Sequence, residues 1–180
     1  MKKEIIESID IPEGVSCEIS DNKFSCNKGA SNLSISIDIQ KTTIQIKDQK
    51  VIFSCNKGGK KEYKIVKSYL AHIKNLFEGI NKKFVYKLEA CNLHFPMTLK
   101  VDKDVLLINN FLGEKVPRRA KILPGVEIEI KGLKIFLSSS SKTSAGQTAA
   151  NIEKATKIRF RDRRIFQDGI FITEKPGEGS

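Results

Sequence analysis

The apolar residues of this chain change period, from two to three-and-a-half and back, and then do so again. From Lys60 to Ile80, in KKEYKIVKSYLAHIKNLFEGI, the residues Tyr63, Val66, Leu70, Ile73, Phe77 and Ile80 recur every three or four positions. That spacing predicts one face of an amphipathic helix, with Gly79 as its terminator. Before the helix the period is two. GVSCEISDNKFSCNKG predicts a hairpin turning at Asp21-Asn22. NLSISIDIQ predicts a strand with Leu33, Ile35, Ile37 and Ile39 on one face, and TTIQIKDQKVIFSC a second hairpin turning at Asp48-Gln49. After the helix the pattern restarts. KFVYKLEACNLHF reads as a strand, MTLKVDKDVLLINNF as a hairpin about Lys103-Asp104, and GVEIEIKGLKIFLSS as another about Lys131-Gly132. SAGQTAANIEKATKI returns to helical spacing, with Ala145, Thr148, Ile152 and Ala155 on one face and Ser144 or Thr143 as N-cap. RIFQDGIFITE closes the chain as a strand beginning near Ile165.

The order strands, helix, strand is therefore expected twice. The expected fold class is α+β, with two tandem copies of a small antiparallel sheet covered by one helix. The expected divisions are an N-terminal α+β domain over 1–81, a C-terminal α+β domain over 82–175, and a flexible tail over 176–180. A chain of 180 residues, 39% hydrophobic and 29% charged, is long and apolar enough to bury cores of this kind. One string, FSCNKG, stands at both 24–29 and 53–58. It could mark two paired anion sites. A strand end followed by a common turn tripeptide explains it more simply, because Asn and Gly are generic turn residues.

No apolar run approaches the ~20 residues that a membrane span needs. MKKEIIESIDIPEG has acids throughout and no apolar h-region, so a cytoplasmic location is expected. The cysteines, at 17, 26, 55 and 91, have no CxxC spacing, and buried reduced thiols are expected rather than a zinc site. His72 and His94 neighbour no nucleophile elbow, and HExxH, P-loop and GxGxxG motifs are missing from the sequence. The expectation is a protein that is not an enzyme, with no cofactor, no metal and no small-molecule substrate.

The net charge is +11, and its distribution is uneven. Residues 1–80 carry 13 lysines and no arginine against 10 acids, whereas residues 81–180 carry 19 Lys and Arg against 11 acids. All six arginines lie at or beyond position 118. Arginine offers a planar fork that fits phosphate and base edges and stacks on bases, so the second half reads as the binding half. Two segments concentrate the charge. NNFLGEKVPRRAKILPG, over 109–125, is expected to be a loop between two hairpins, carrying Lys115, Arg118, Arg119 and Lys121. It suits either a shaped polyanion or an ordinary solvated connection. KIRFRDRR carries Lys157, Arg159, Arg161, Arg163 and Arg164 on a link between helix and strand, with Asp162 orienting a neighbouring arginine. Placement on a link rather than a helix face argues against a membrane surface. Irregular phosphate geometry in folded RNA fits it better than the DNA major groove. Phe160 could stack on a base or pack inward, and inward packing is the commoner fate. LSSSSKTSAGQ, with Lys142 and Gln147, is expected to be a flexible loop first and an anion site at a helix N-terminus second.

NNFLGEKVPRR, GQTAANIEKATKI and RDRRIFQDGIFITEK, at 109–119, 146–158 and 161–175, occur in the order of the signature segments of large-subunit ribosomal protein six. The chain resembles the archaeal and eukaryotic type of that family, called protein nine in eukaryotes, from about Ile11 to Lys175. AHIKNLFEGINKKFVYKLEACNLHFPM resembles the family's helix-to-strand connection. The resemblance implies a structural ribosomal protein with two copies of one α+β fold. Its partners would be large-subunit rRNA, near the sarcin–ricin loop and the translation-factor site, and neighbouring ribosomal proteins. The family's basic loop falls on Lys115, Arg118 and Arg119. Its post-helix link falls on Lys157, Arg159, Arg161, Arg163 and Arg164, and its helix start on Gly146, Gln147 and Thr148. Charge alone leaves a second class open: a non-ribosomal basic adaptor docking on an acidic protein or an anionic membrane surface.

Overall fold

A computed structural model describes residues 3–20, 22–29, 31–38, 42–162 and 164–177. The chain divides into two compact units, Met1–Lys82 and Lys83–Ser180. Asp21, Ile39, Arg163 and the end of the expected tail, 178–180, lie outside the described residues.

The first unit runs β1 (Lys3–Asp10), β2 (Ser16–Ser20), β3 (Lys23–Lys28), β4 (Ser31–Ser36), β5 (Thr43–Lys47), β6 (Lys50–Gly58) and α1 (Lys60–Asn81). The strands form two antiparallel sheets, ordered β1-β6-β5 and β2-β3-β4. Strand β1 is not foreseen by the sequence pattern. Its inward register includes Glu7, which breaks the apolar alternation and forms an ion pair with Lys67 of α1 at 2.7 Å. The β5–β6 hairpin turns at Asp48-Gln49, both with left-handed backbones (φ 47° and 56°), the geometry of a two-residue loop. Helix α1 buries Val66, Ile73 and Phe77. It passes through Gly79, which is buried rather than terminal, and ends at Asn81. The repeated FSC triplets do the same job twice: Phe24, Cys26, Phe53 and Cys55 are all essentially fully buried. Only the first copy is followed by a turn, at Gly29 (φ 57°), whereas Asn56 to Gly58 still belong to β6. The thiols of half-buried Cys17 and buried Cys26 are 3.1 Å apart and free, and burial pushes both up in pKa. Cys91, against expectation, is exposed.

The second unit runs β7 (Phe84–Cys91), β8 (Thr98–Asp102), β9 (Val105–Asn109), a 3-10 turn (Phe111–Gly113), β10 (Arg118–Lys121), β11 (Glu127–Lys131), β12 (Lys134–Ser139), α2 (Lys142–Ala155) and β13 (Gly169–Glu174). Its antiparallel sheets are β10-β9-β8 and β11-β12-β7-β13. Six strands and a helix thus recur in one order in both units. The fold class is α+β as expected, but each unit holds two small sheets rather than one. In the first unit, among the described residues, no strand follows the helix; the segment read there opens the second unit as β7. In the second unit β13 returns to the other edge of β7.

Several local expectations change. The β11–β12 turn is Gly132-Leu133, one residue later than expected, with Gly132 at φ 62°. Arg118–Lys121 is a strand, not a loop. Its inner face is Arg118, Ala120 and then Ile122, an alternation that the cations and prolines conceal. The serine run is ordered by specific bonds: Ser138 and Ser139 belong to β12. Buried Ser139 donates to the Gly125 carbonyl at 2.7 Å. The N-cap of α2 is Ser141, whose hydroxyl accepts from the Ser144 amide at 3.2 Å. The two expected caps, Thr143 and Ser144, both lie inside the first turn of the helix. At Gly146 a Cβ would come within 2.9 Å of the Tyr86 hydroxyl, so the missing side chain lets α2 lie close on β7. The core of this unit is built from Leu88, Leu106, Ile108, Ile135, Leu137 and Ile152, all essentially fully buried.

Candidate nucleic-acid interface

Strand β10 and the C-terminal end of α2 form the walls of a groove in the second unit, and the link after the helix forms its rim. Arg119, Lys121, Lys154, Lys157, Arg159 and Phe160 line it, together with part of Arg118 and Asn151. Among the described residues that line it, none is acidic. Alternation along β10 explains half of the arrangement. Ala120 is buried, so Arg119 and Lys121 face outward on the same side of the strand. Helical spacing explains the α2 wall: Asn151 and Lys154 are three residues apart on one face, with Gln147 four residues before Asn151, while Lys157, Arg159 and Phe160 follow on the link. Gln147 donates to the Asn151 side chain at 2.9 Å, and Asn151 donates to the Lys121 carbonyl at 3.0 Å.

Arg118 ties the two walls together. Its Nε and one terminal nitrogen donate to the two Glu114 carboxylate oxygens at 2.8 and 2.6 Å. The other terminal nitrogen donates to the carbonyls of Ala155 (2.9 Å) and Lys157 (3.3 Å), at the end of α2. The guanidinium also lies 4.1 Å from the centre of the Phe111 ring. The end of a helix presents carbonyls without intrahelical partners and a partial negative charge, and a cation satisfies both. The Arg118 hydrogen bonds hold the Glu114 carboxyl below the usual carboxylate range, against partial burial, and the charges of Arg118 and Arg161 add to that.

The link from Thr156 to Asp168 is fixed at several points. The buried Thr156 hydroxyl accepts from the Ile170 amide at 2.9 Å, which joins the helix end to the start of β13. Strand β13 begins at Gly169, four residues later than expected, and 165–168 belongs to the link. Arg161 stacks over Phe166 at 4.8 Å, and Phe166 stacks on His94 at 4.9 Å. The His94 ring nitrogen Nδ1 is 2.6 Å from Asp168, whose carboxylate also accepts from the His94 amide at 3.0 Å. Burial by itself pushes the Asp168 carboxyl up, but the His94 hydrogen bonds and charge outweigh it and hold it below its ordinary value. Asp162 orients Arg164, accepting from its amide and guanidinium, and these bonds hold the Asp162 carboxyl low.

The expected site residues thus separate into groups. Arg119, Lys121, Lys157 and Arg159 meet in the groove, and their side chains form no ion pair or hydrogen bond with the described residues. Arg118, Arg161 and Arg164 have partners within the chain, Arg118 partly buried and the other two at the surface. Lys142 lies over the Phe84 ring at 5.5 Å, at the opposite end of α2. Gln147 reaches the groove only through Asn151, and Lys115 is exposed outside its lining. Lys154 and Asn151 are additions to the expected set; the polar stripe from Gln147 along α2 is the signal that locates them. Phe160 does not pack inward: it is fully exposed, at φ 59°.

The family described as ribosomal protein L6 matches residues 95–169. The chain is 40% identical over 174 residues to a large ribosomal subunit protein uL6 from Methanococcus vannielii, which covers 97% of this chain and 96% of the relative. It is 39% identical over 175 residues to a large ribosomal subunit protein uL6 from Methanosarcina mazei, covering 97% and 99% respectively.

Arg118→Ala should cost about 2–3 kcal/mol of stability, because it strands helix carbonyls and Glu114, whereas Arg119→Ala should cost under about 0.5 kcal/mol. Denaturant unfolding of both variants checks this, and equal costs would contradict the division between scaffold and open cations. For Asp168 the depressed folded-state pKa means that its contribution is present above the unfolded value near ~3.9 and is lost as pH falls through the folded one. The stability gap between the wild type and Asp168→Asn should therefore narrow below about pH 4. A gap that stays constant from about pH 7 down to about pH 3 would contradict this linkage.

Proposed function

The chain belongs to the ribosomal protein L6 family, and on that premise we propose that it is a structural constituent of the large ribosomal subunit, held on large-subunit rRNA mainly by its second unit. The observation that carries the RNA contact is the acid-free groove of Arg119, Lys121, Lys154, Lys157 and Arg159. Arg119, Lys121 and Lys154 are set by β10 and α2, and Lys157 and Arg159 by a link that Thr156 and Arg118 tie to the fold, so little of the scaffold must be ordered on binding. Phosphates of a folded RNA would lie along the groove and release condensed counterions. Lys115, Arg161, Arg164 and Lys142 would add to the attractive field from outside the groove, and Arg163 adds one more positive charge to the same segment. The family resemblance supports a position near the sarcin–ricin loop and the translation-factor site, contact with neighbouring ribosomal proteins, and a role in cytoplasmic translation without catalysis of its own.

Replacing Arg119, Lys121, Lys157 and Arg159 together by Ala tests the groove, read by titration against large-subunit rRNA over a range of salt. The slope of log K against log salt should fall by about 3, at roughly 0.7–0.9 for each phosphate no longer neutralised. An unchanged slope and affinity in the folded variant would refute the assignment of the groove.

A further inference from the structure

Phe160 is the one large apolar side chain among the residues lining the groove, and the fold leaves it wholly in solvent, with a relative exposure of 104%. Its backbone is left-handed, at φ 59°, a conformation that bulky L-residues adopt only at a cost. The fold recovers nothing for that cost through the ring. The flanking residues show why the ring points outward. Arg161 is drawn back onto Phe166, and the Lys157 carbonyl is held by Arg118, so the chain between them arches away from the body. Arg159, beside the ring, is exposed and lines the same groove.

We propose that Phe160 is a stacking platform for an unpaired nucleobase of the large-subunit rRNA whose phosphates occupy the groove. This rests on the RNA-binding reading given above and adds a base contact to it. An exposed ring at the end of a row of cations is the arrangement that binds single-stranded nucleic acid: the cations take the backbone, and the ring takes the π-face of a base. A duplex offers no such face, because its bases are already stacked, so the site selects a loop, bulge or flipped-out nucleotide. The charge of the groove argues for this occupant over an apolar pocket on a protein, which would leave the surrounding cations without partners.

The test uses the full chain and large-subunit rRNA. Phe160→Ala should weaken binding by about 5- to 150-fold with the salt slope unchanged, because the substitution removes a stack and leaves every phosphate partner in place. Its thermal unfolding should match the wild type, since the ring is not packed. The chain has no tryptophan, so Phe160→Trp introduces a single indole fluorophore. Its emission should be quenched on binding the rRNA and should respond far less to a fully paired RNA duplex. Native affinity for Phe160→Ala overturns the stacking proposal and leaves the groove reading standing. Unquenched or blue-shifted indole emission in a complex that has demonstrably formed also overturns it, since the ring is then in solvent or in an apolar protein pocket. If the wild-type chain fails to bind the rRNA, the functional reading and the stacking proposal fall together.

Discussion

The guanidinium of Arg118 joins three parts of the second unit. It stacks on Phe111, pairs with Glu114 four residues before it, and satisfies carbonyls at Ala155 and Lys157. One wall of the groove is β10 and the other is the end of α2, so this side chain sets the spacing between them. A lysine could not replace it: a point charge with three rotatable donors lacks the planar fork that reaches a carboxylate on one side and two carbonyls on the other. The cations around the site are therefore of two kinds. Some arginines build the scaffold, and others are left with their donors open.

That separation has an electrostatic reason. A cluster of unpaired cations repels itself, and the repulsion grows as the cations are brought together. Glu114 beside Arg118, Asp162 beside Arg164, and the Phe166–His94–Asp168 stack beneath Arg161 absorb part of that repulsion on the flanks. The middle of the groove, with Arg119, Lys121, Lys154, Lys157 and Arg159, has no such acid in its lining and keeps its field for a ligand. The link after α2 is thus held firmly at Thr156 and at Arg161 and projects between them.

Much of the fold is legible in the sequence because period is a strong signal. The switch from alternation to helical spacing locates both helices, and Asp48-Gln49 and Lys103-Asp104 are the turns that it implies. What the pattern misses, it misses for local reasons. Glu7 hides β1, since a charged residue on an inward face breaks the alternation unless its partner, Lys67, is known. Arg118 hides β10 in the same way, because its inward role depends on carbonyls 37 and 39 residues away. The serine run suggests flexibility by composition, yet Ser139 bonds the Gly125 carbonyl, fourteen residues away and brought near by the β11–β12 hairpin, while Ser141 caps α2 locally. For the site, charge density marks the right segments but not which cations are open. Inward packing is the usual fate of a phenylalanine, and nothing in the string KIRFRDRR reveals that Phe160 takes a left-handed backbone on an arch held out by Arg118 and Arg161.

A structure of the assembled large subunit containing this chain tests most directly whether the groove between β10 and the end of α2 faces RNA. Phosphates should then lie within hydrogen-bonding distance of Arg119, Lys121, Lys157 and Arg159, with Arg118 still on Glu114 and the end of α2. A groove facing solvent or another protein, with the RNA on a different surface of the chain, would contradict it.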